Sequence, residues 1–131
     1  MKLSIVKSIR TNNFNDERIM QKITGMWKEA TDSLHKNETT YGVYHEYESD
    51  YKGDYSLSIA IEDINGESFI KIPKNEKYRI FKVDTTEEQR IFNTWSRIWE
   101  QEEAGILKRA YSFDFEKYYP NGAIEIHIAI R

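Results

Sequence analysis

The chain has 131 residues, of which 39% are apolar and 31% charged, and its net charge is −3. This composition is typical of one folded domain, and the scattered cations carry no basic footprint, so we expect neither direct nucleic-acid binding nor a membrane partner. Cysteine is absent, which excludes disulfides, thiolate catalysis and cysteine-type zinc sites.

The first predicted element is a strand over residues 2–10, with apolar side chains at alternate positions. A helix follows, because apolar residues then recur at helical spacing and form one stripe. The members of this stripe are Ile19, Ile23, Met26, Trp27, Ala30 and Leu34.

Period-two alternation predicts a hairpin with arms over 41–48 and 55–61. A turn over 62–67, a short edge strand over 69–72 and a strand over 78–83 come next. A second helix carries the apolar stripe Ile91, Trp95, Ile98 and Trp99. A second hairpin closes the chain, with arms over 111–116 and 124–130, and its turn is Tyr119-Pro-Asn-Gly122.

Side chains near the predicted helix starts suggest how each helix is capped. Asn13 or Asn15 is the expected N-cap of the first helix, and Thr85 or Thr86 that of the second. Gly25 lies inside the first helix, where glycine is unfavourable, so we expect a neighbour to pack closely against it.

The predicted elements give the series strand, helix, strand, strand twice. Trp27 and Trp95 are 68 residues apart, and so are Glu48 and Glu116. We interpret the chain as one α+β domain over 1–131, built from two pseudo-symmetric repeats at about 1–74 and 75–131. The alternative is that any two such units share this alternation. A seam between two halves is a natural place for a ligand cleft.

Several short motifs in this order resemble one known family. They are Arg10-Thr-Asn-Asn13, Tyr41-Gly-Val-Tyr44, Ile72-Pro73, Tyr78-Arg-Ile-Phe81, Trp95, Arg109, Asp114-Phe-Glu116 and Glu125-Ile-His-Ile-Ala-Ile130. Together they resemble the GyrI-like small-molecule-binding domain, which is the effector-binding module of AraC-type and MerR-type regulators, and its standalone integron-associated branch. The chain departs from the family's usual pattern at Pro73-Lys-Asn-Glu-Lys-Tyr78, which lacks a glycine, and at Ala129.

The resemblance implies one antiparallel sheet with two helices packed on it, a central cleft, and a buried glutamate in that cleft at Glu116. From the residues themselves, Glu116 stands beside Phe115, Tyr118 and Tyr119, where it could hold a ligand cation against aromatic faces. The alternative is a solvated strand glutamate. The candidate ligand-binding residues are Glu116, Trp95, Tyr44, Tyr111 and Glu48, whereas Trp27 and Trp99 are expected in the core.

The function expected from this resemblance is a standalone protein that binds an aromatic or cationic, drug-like molecule and lacks its own DNA reader. Two alternatives stay open: a hydrolase of cyclopropane-bearing electrophiles with Glu116 as its catalytic base, and a protein-interaction role with a regulator or gyrase. His35, His45 and His127 lack metal-ligand spacing, and no phosphate-binding loop is present, so we expect no metal and no cofactor. The N-terminus has no apolar segment of signal-peptide length, which favours a cytoplasmic location.

Overall fold

The computed structural model describes residues 1–34, 37–63, 66 and 68–131. The strands within these residues are β1 (Lys2–Thr11), β2 (Thr40–His45), β3 (Tyr55–Ile61), β4 (Phe69–Lys71), β5 (Lys77–Lys82), β6 (Asp114–Tyr118) and β7 (Ile124–Ile130). The helices are α1 (Ile19–Ala30) and α2 (Arg90–Glu103), and a short 3-10 helix (Thr31–Ser33) follows α1.

The seven strands form one sheet in the order β4-β1-β3-β2-β6-β7-β5, and every neighbouring pair is antiparallel. The α+β class and the antiparallel sheet predicted from the sequence are therefore confirmed. The division into repeats of 1–74 and 75–131 stays a prediction. The closing turn is as predicted: Gly122 has φ +91°, and its N–H donates to the Tyr119 carbonyl at 3.0 Å.

Apolar residues pack on both faces of this sheet because side chains alternate along each strand. On the face that carries the helices, Leu57 and Ile59 pack with Met26 of α1, and Ile126 packs with Ile98 of α2. A third cluster contains residues of the opposite face, of β4 and of the position just after β4: Leu3, Tyr41, Val43, Ala60, Ile70, Ile72 and Phe115. The two helices are thus anchored over different halves of one sheet.

The predicted helix caps are wrong. Arg18 and Gln89 occupy the N-cap positions of α1 and α2, and neither caps through its side chain. The side-chain oxygen of Asn12 instead accepts from the backbone N–H groups of Phe14 and Asn15, and Asp84 accepts from Thr86. These polar residues stabilise turns ahead of the helices, where local side-chain bonds compete with helical ones.

The structure corrects three further expectations. Apart from its chain neighbours and the backbone of its own helix, no heavy atom of the described residues lies within 4 Å of a Cβ built on Gly25, so no other element packs closely there. The first arm of the hairpin at 41–48 ends earlier, at His45, because Glu46 adopts a positive φ of 52°. Similarly, β6 begins only at Asp114. Residues 64, 65 and 67 of the predicted turn, and His35, lie outside the described residues.

Candidate functional site

A cavity of about 350 Å³ lies on the helix-bearing face of the sheet, between α1 and α2. Its volume is at the lower end of the range of small-molecule sites. Among the described residues, those that line it are Asn13, Met20, Ile23, Trp27, Tyr44, Tyr47, Tyr51, Tyr55, Leu57, Ile91, Phe92, Trp95, Trp99, Arg109, Glu116 and Tyr118. Aromatic rings therefore make up most of the wall, and one carboxylate and one guanidinium face it.

The carboxylate of Glu116 lies in the floor of the cavity and is only 5% exposed. Its Oε2 accepts from the Tyr44 hydroxyl and from the indole N–H of Trp95, both at 2.7 Å, and its Oε1 accepts from the Tyr118 hydroxyl at 2.6 Å. A carboxylate offers about four acceptor positions. The three donors thus fix the side chain and leave about one position, on Oε1.

Gly42 creates space beside this remaining position. It pairs directly with Glu116 across β2 and β6, so the two residues share the cavity face of the sheet. A Cβ built on Gly42 would lie 3.3 Å from Oε1 of Glu116 and 3.7 Å from Cζ2 of Trp27. Any larger residue at position 42 would therefore crowd the carboxylate.

The groups that hold Glu116 are all neutral. Burial, followed by the negative charge of Glu116, raises the pKa of Tyr44 and of Tyr118 well above the usual tyrosine value, so both hydroxyls stay protonated and act as donors. Among the described residues, no Lys, Arg or His lies within ion-pair distance of Glu116. The cavity floor consequently carries a fixed carboxylate that no protein cation compensates.

Two tryptophans flank this carboxylate from opposite helices. Trp95 of α2 meets the Tyr44 ring edge to face at 5.0 Å, and Trp27 of α1 meets the Tyr118 ring in the same way at 5.3 Å. Such pairs hold aromatic walls in fixed orientations. Trp27 and Trp99 were expected in the core, but both are half-buried and line the cavity.

The guanidinium of Arg109 is neutralised within the wall of the cavity. Its NH2 group donates to Asp114 at 2.8 Å, and Asp114 is fully buried and also accepts from the Ala129 backbone N–H. The Tyr47 hydroxyl donates to the same carboxylate, and the guanidinium carbon lies 4.4 Å from the centre of the Tyr111 ring. Arg109 therefore adds little net positive charge to the site.

Three of the five predicted site residues come together: Glu116, Trp95 and Tyr44. Tyr111 has φ +55°, donates its hydroxyl to Glu102 and packs against Arg109 beside the cavity. Glu48 lies beyond the end of β2, is exposed and does not line the cavity. Glu116 lies within β6, whereas Glu48 lies three residues past the last residue of β2, His45.

Tyr47 and Arg109 were not among the predicted site residues. Strict alternation would place Tyr47 on the face opposite Tyr44, but the positive φ of Glu46 breaks the strand, and both rings line the cavity. A lone arginine such as Arg109 gives no periodic signal. Within the described residues, no group of three or more metal-ligating side chains is present, and no helix has the length and hydropathy needed to cross a membrane.

The antiparallel sheet under two helices holds an aromatic cavity around a buried carboxylate, which is a concave, mostly apolar site of the kind that small molecules occupy. A model of one family, Cass2, described as integron-associated effector binding protein, matches residues 5–130. The chain belongs to this family, which makes effector binding its class of function. The expected integron-associated relationship is thereby confirmed, but the matching model is not the GyrI-like one.

A solved structure supports this assignment. An integron cassette protein from the mobile metagenome of Vibrio cholerae is similar to this chain with a TM-score of 0.77 and 26% sequence identity, over 100% of this chain and 90% of the other. Comparison with curated proteins gives no match.

Proposed function

We propose that this protein binds an aromatic organic cation in the cavity, with Glu116 as the counter-ion. One observation carries the proposal: a carboxylate that is 5% exposed, held by three neutral donors, stands at the floor of a cavity walled by aromatic rings. A buried charge is unfavourable unless an opposite charge or hydrogen bonds compensate it. The three hydrogen bonds stabilise the carboxylate in part, and a ligand cation would add an opposite charge that no described protein group supplies within ion-pair distance.

The surroundings of Glu116 favour a particular kind of cation. The faces of Trp27 and Trp95 attract positive charge, most strongly when it has lost its water. Only about one acceptor position is left on the carboxylate, whereas a primary ammonium brings three N–H donors. Quaternary or delocalised cations need no such acceptors, so they fit the site better than primary amines do.

The residues of the cavity wall also indicate how wide a range of ligands the site accepts. Besides Glu116, the polar groups that line the cavity are mostly bound to one another, as Tyr47 and Arg109 are bound to Asp114. Flat aromatic rings distinguish less sharply between ligands than directed hydrogen bonds do. We therefore propose a multidrug-type effector-binding role, in which occupancy of the cavity by varied cations, rather than turnover, is the output passed to a regulator.

A thermal-shift experiment tests this function. Tetraphenylphosphonium should raise the melting temperature of the wild type, because a ligand that binds only the folded state stabilises it. Glu116→Gln should remove most of this shift while folding normally, since the amide oxygen can still accept from Tyr44 and Trp95. Glu125→Gln is the matched control, because Glu125 lies on the neighbouring strand β7, outside the cavity, and should leave the shift unchanged.

The two other functions predicted from the sequence need separate assays. For the hydrolase, the wild type should release hydrolysed product from a cyclopropane-bearing electrophile faster than buffer does, and Glu116→Gln should abolish the difference. For the protein-interaction role, purified gyrase should be retained by the immobilised protein. If a cation stabilises the protein, but no hydrolysis is seen and no gyrase is retained, the results support ligand binding as the function.

A further inference from the structure

Two large apolar side chains are exposed at the mouth of the cavity. Met20 in the first turn of α1 is 69% exposed and Phe92 in the first turn of α2 is 58% exposed, and both also line the cavity. A single exposed apolar residue is ordinary, but a contiguous apolar surface marks an interaction site. These two residues border the proposed ligand site, one from each helix.

An open depression continues outward from this entrance. It is lined by Met20, Ile91 and Phe92, which also line the cavity, and by residues 88–90. Its volume is about 510 Å³. Because three residues line both spaces, the depression adjoins the cavity at the first turns of the helices.

Aromatic rings extend the apolar surface along one side of the mouth. Phe92 contacts Trp99 at 6.3 Å between ring centres, Trp99 stacks on Tyr51 at 6.1 Å, and Tyr51 contacts Phe14 at 5.9 Å. Phe14 itself is 61% exposed. We name Phe14, Met20 and Phe92 the outer rim.

We infer that the outer rim is a second subsite, which takes the apolar tail of an amphiphilic cation whose charged head lies at Glu116. This inference rests on the proposed function. Trp27, which stands beside Gly42 and Glu116, is seven residues from Met20 along α1, or about 10 Å at the helical rise. A tail longer than this distance extends out of the cavity and lies on the outer rim.

The polar residues of the depression agree with an uncharged tail. Glu88 and Arg90 carry opposite charges, so the depression offers no net charge to a second ionic group. The ligand class that fits both subsites is therefore a quaternary ammonium with one long alkyl chain, rather than a dication or a zwitterion.

Calorimetric titration with butyl-, octyl- and dodecyltrimethylammonium, all below their micelle concentrations, tests the subsite. In the wild type, affinity should rise about twofold to fourfold for each methylene added from octyl to dodecyl, fourfold being the value for full burial. The double variant Met20→Ser/Phe92→Ser should lower the ratio of dodecyltrimethylammonium affinity to butyltrimethylammonium affinity about tenfold or more. Ile106→Ser is the control, because Ile106 is 65% exposed and lines neither space.

Two results would overturn the subsite: wild-type affinity that stops rising at octyl, or a dodecyl gain that survives in the double variant. Failure of the proposed function is distinguishable from both. In that case Glu116→Gln would bind the butyl compound as the wild type does, while the chain-length series would still report on the outer rim.

Discussion

Gly42 and Glu116 are direct cross-strand neighbours, and the missing side chain of Gly42 keeps space free beside the one carboxylate oxygen that has an open acceptor position. We therefore propose that the glycine helps to determine which ligands the site accepts, although it has no side chain with which to contact them. Its φ lies outside the left-handed range, so alanine is sterically allowed in the backbone.

Gly42→Ala should weaken cation binding about tenfold while changing the free energy of unfolding by less than about 1 kcal/mol. The added methyl would lie 3.3 Å from Oε1 of Glu116, and the three donors prevent the carboxylate from moving away. Titration with tetraphenylphosphonium measures the change in affinity, and urea unfolding measures the change in the free energy of unfolding. Unchanged affinity would show that the ligand does not use the space beside Oε1.

Tyr118→Phe should change which cations bind. Loss of the hydroxyl leaves Oε1 with a further free acceptor position, so a primary ammonium should gain affinity relative to a quaternary ammonium of similar size. The apo protein should lose about 1.5–3 kcal/mol of stability, as expected for a hydrogen bond to a charged group. Competition between benzylammonium and benzyltrimethylammonium gives the ratio of the two affinities. Tyr119→Phe is the control, because its hydroxyl donates to Glu125 instead.

The pair Arg109 and Asp114 should set the charge of the cavity wall. Asp114→Asn leaves the buried guanidinium with only its longer ion pair, to Glu102 at 3.4 Å, which should cost up to about 3–5 kcal/mol of stability and reduce cation affinity. The double variant Arg109→Met/Asp114→Asn removes both charges and should recover most of both losses. Urea unfolding and cation titration of the three proteins test this. If the double variant were no more stable than Asp114→Asn and bound the cation no more tightly, the electrostatic role of the pair would be contradicted.

Strand periodicity predicted the sheet faces of two residues of the candidate site, whereas the burial of Glu116 was implied only by the family resemblance. Alternation along 111–116 and 41–48 placed Glu116 and Tyr44 on sheet faces, and the structure brings them together with Trp95. Trp27 and Trp99 could not be assigned in this way, since an apolar stripe on a helix looks the same whether it faces a core or a cavity.

The failures of sequence reasoning lie where the backbone leaves regular structure. Positive φ angles at Glu46 and Tyr111 end the alternation, so Tyr47 lines the cavity and Tyr111 turns to Arg109 and Glu102. Neither residue is a glycine, and the sequence carries no signal for this conformation. Glu48, which lies 68 residues before Glu116, does not line the cavity, since β2 ends at His45.

His45 should make stability depend on pH. It is buried, with Nε2 2.8 Å from the Ser58 hydroxyl, and burial lowers its pKa below the usual value of about 6.5, although Glu46 acts in the opposite direction. The unfolded chain therefore binds a proton at a higher pH than the folded chain does. The stability that neutral His45 contributes is present above about pH 6.5 and is lost as the pH falls below it.

His45→Gln should accordingly lose less melting temperature than the wild type between about pH 7.5 and about pH 5.5. Glutamine can still hydrogen-bond to Ser58 but does not titrate. His127 has a pKa lowered by burial as well, so the double variant with His127→Gln should be flatter still. If the melting temperatures of the wild type and the variants fell equally with pH, neither histidine would be the group whose protonation lowers the stability.

The central claim, that Glu116 is the counter-ion of a bound cation, is tested most directly by a thermodynamic cycle. Tetraphenylphosphonium and neutral triphenylphosphine oxide are titrated into the wild type and Glu116→Gln. Because a charge pair in a largely dry site is worth several times its value in water, Glu116→Gln should weaken phosphonium binding about tenfold to a hundredfold and oxide binding by less than about threefold. Equal losses for both ligands would contradict the claim.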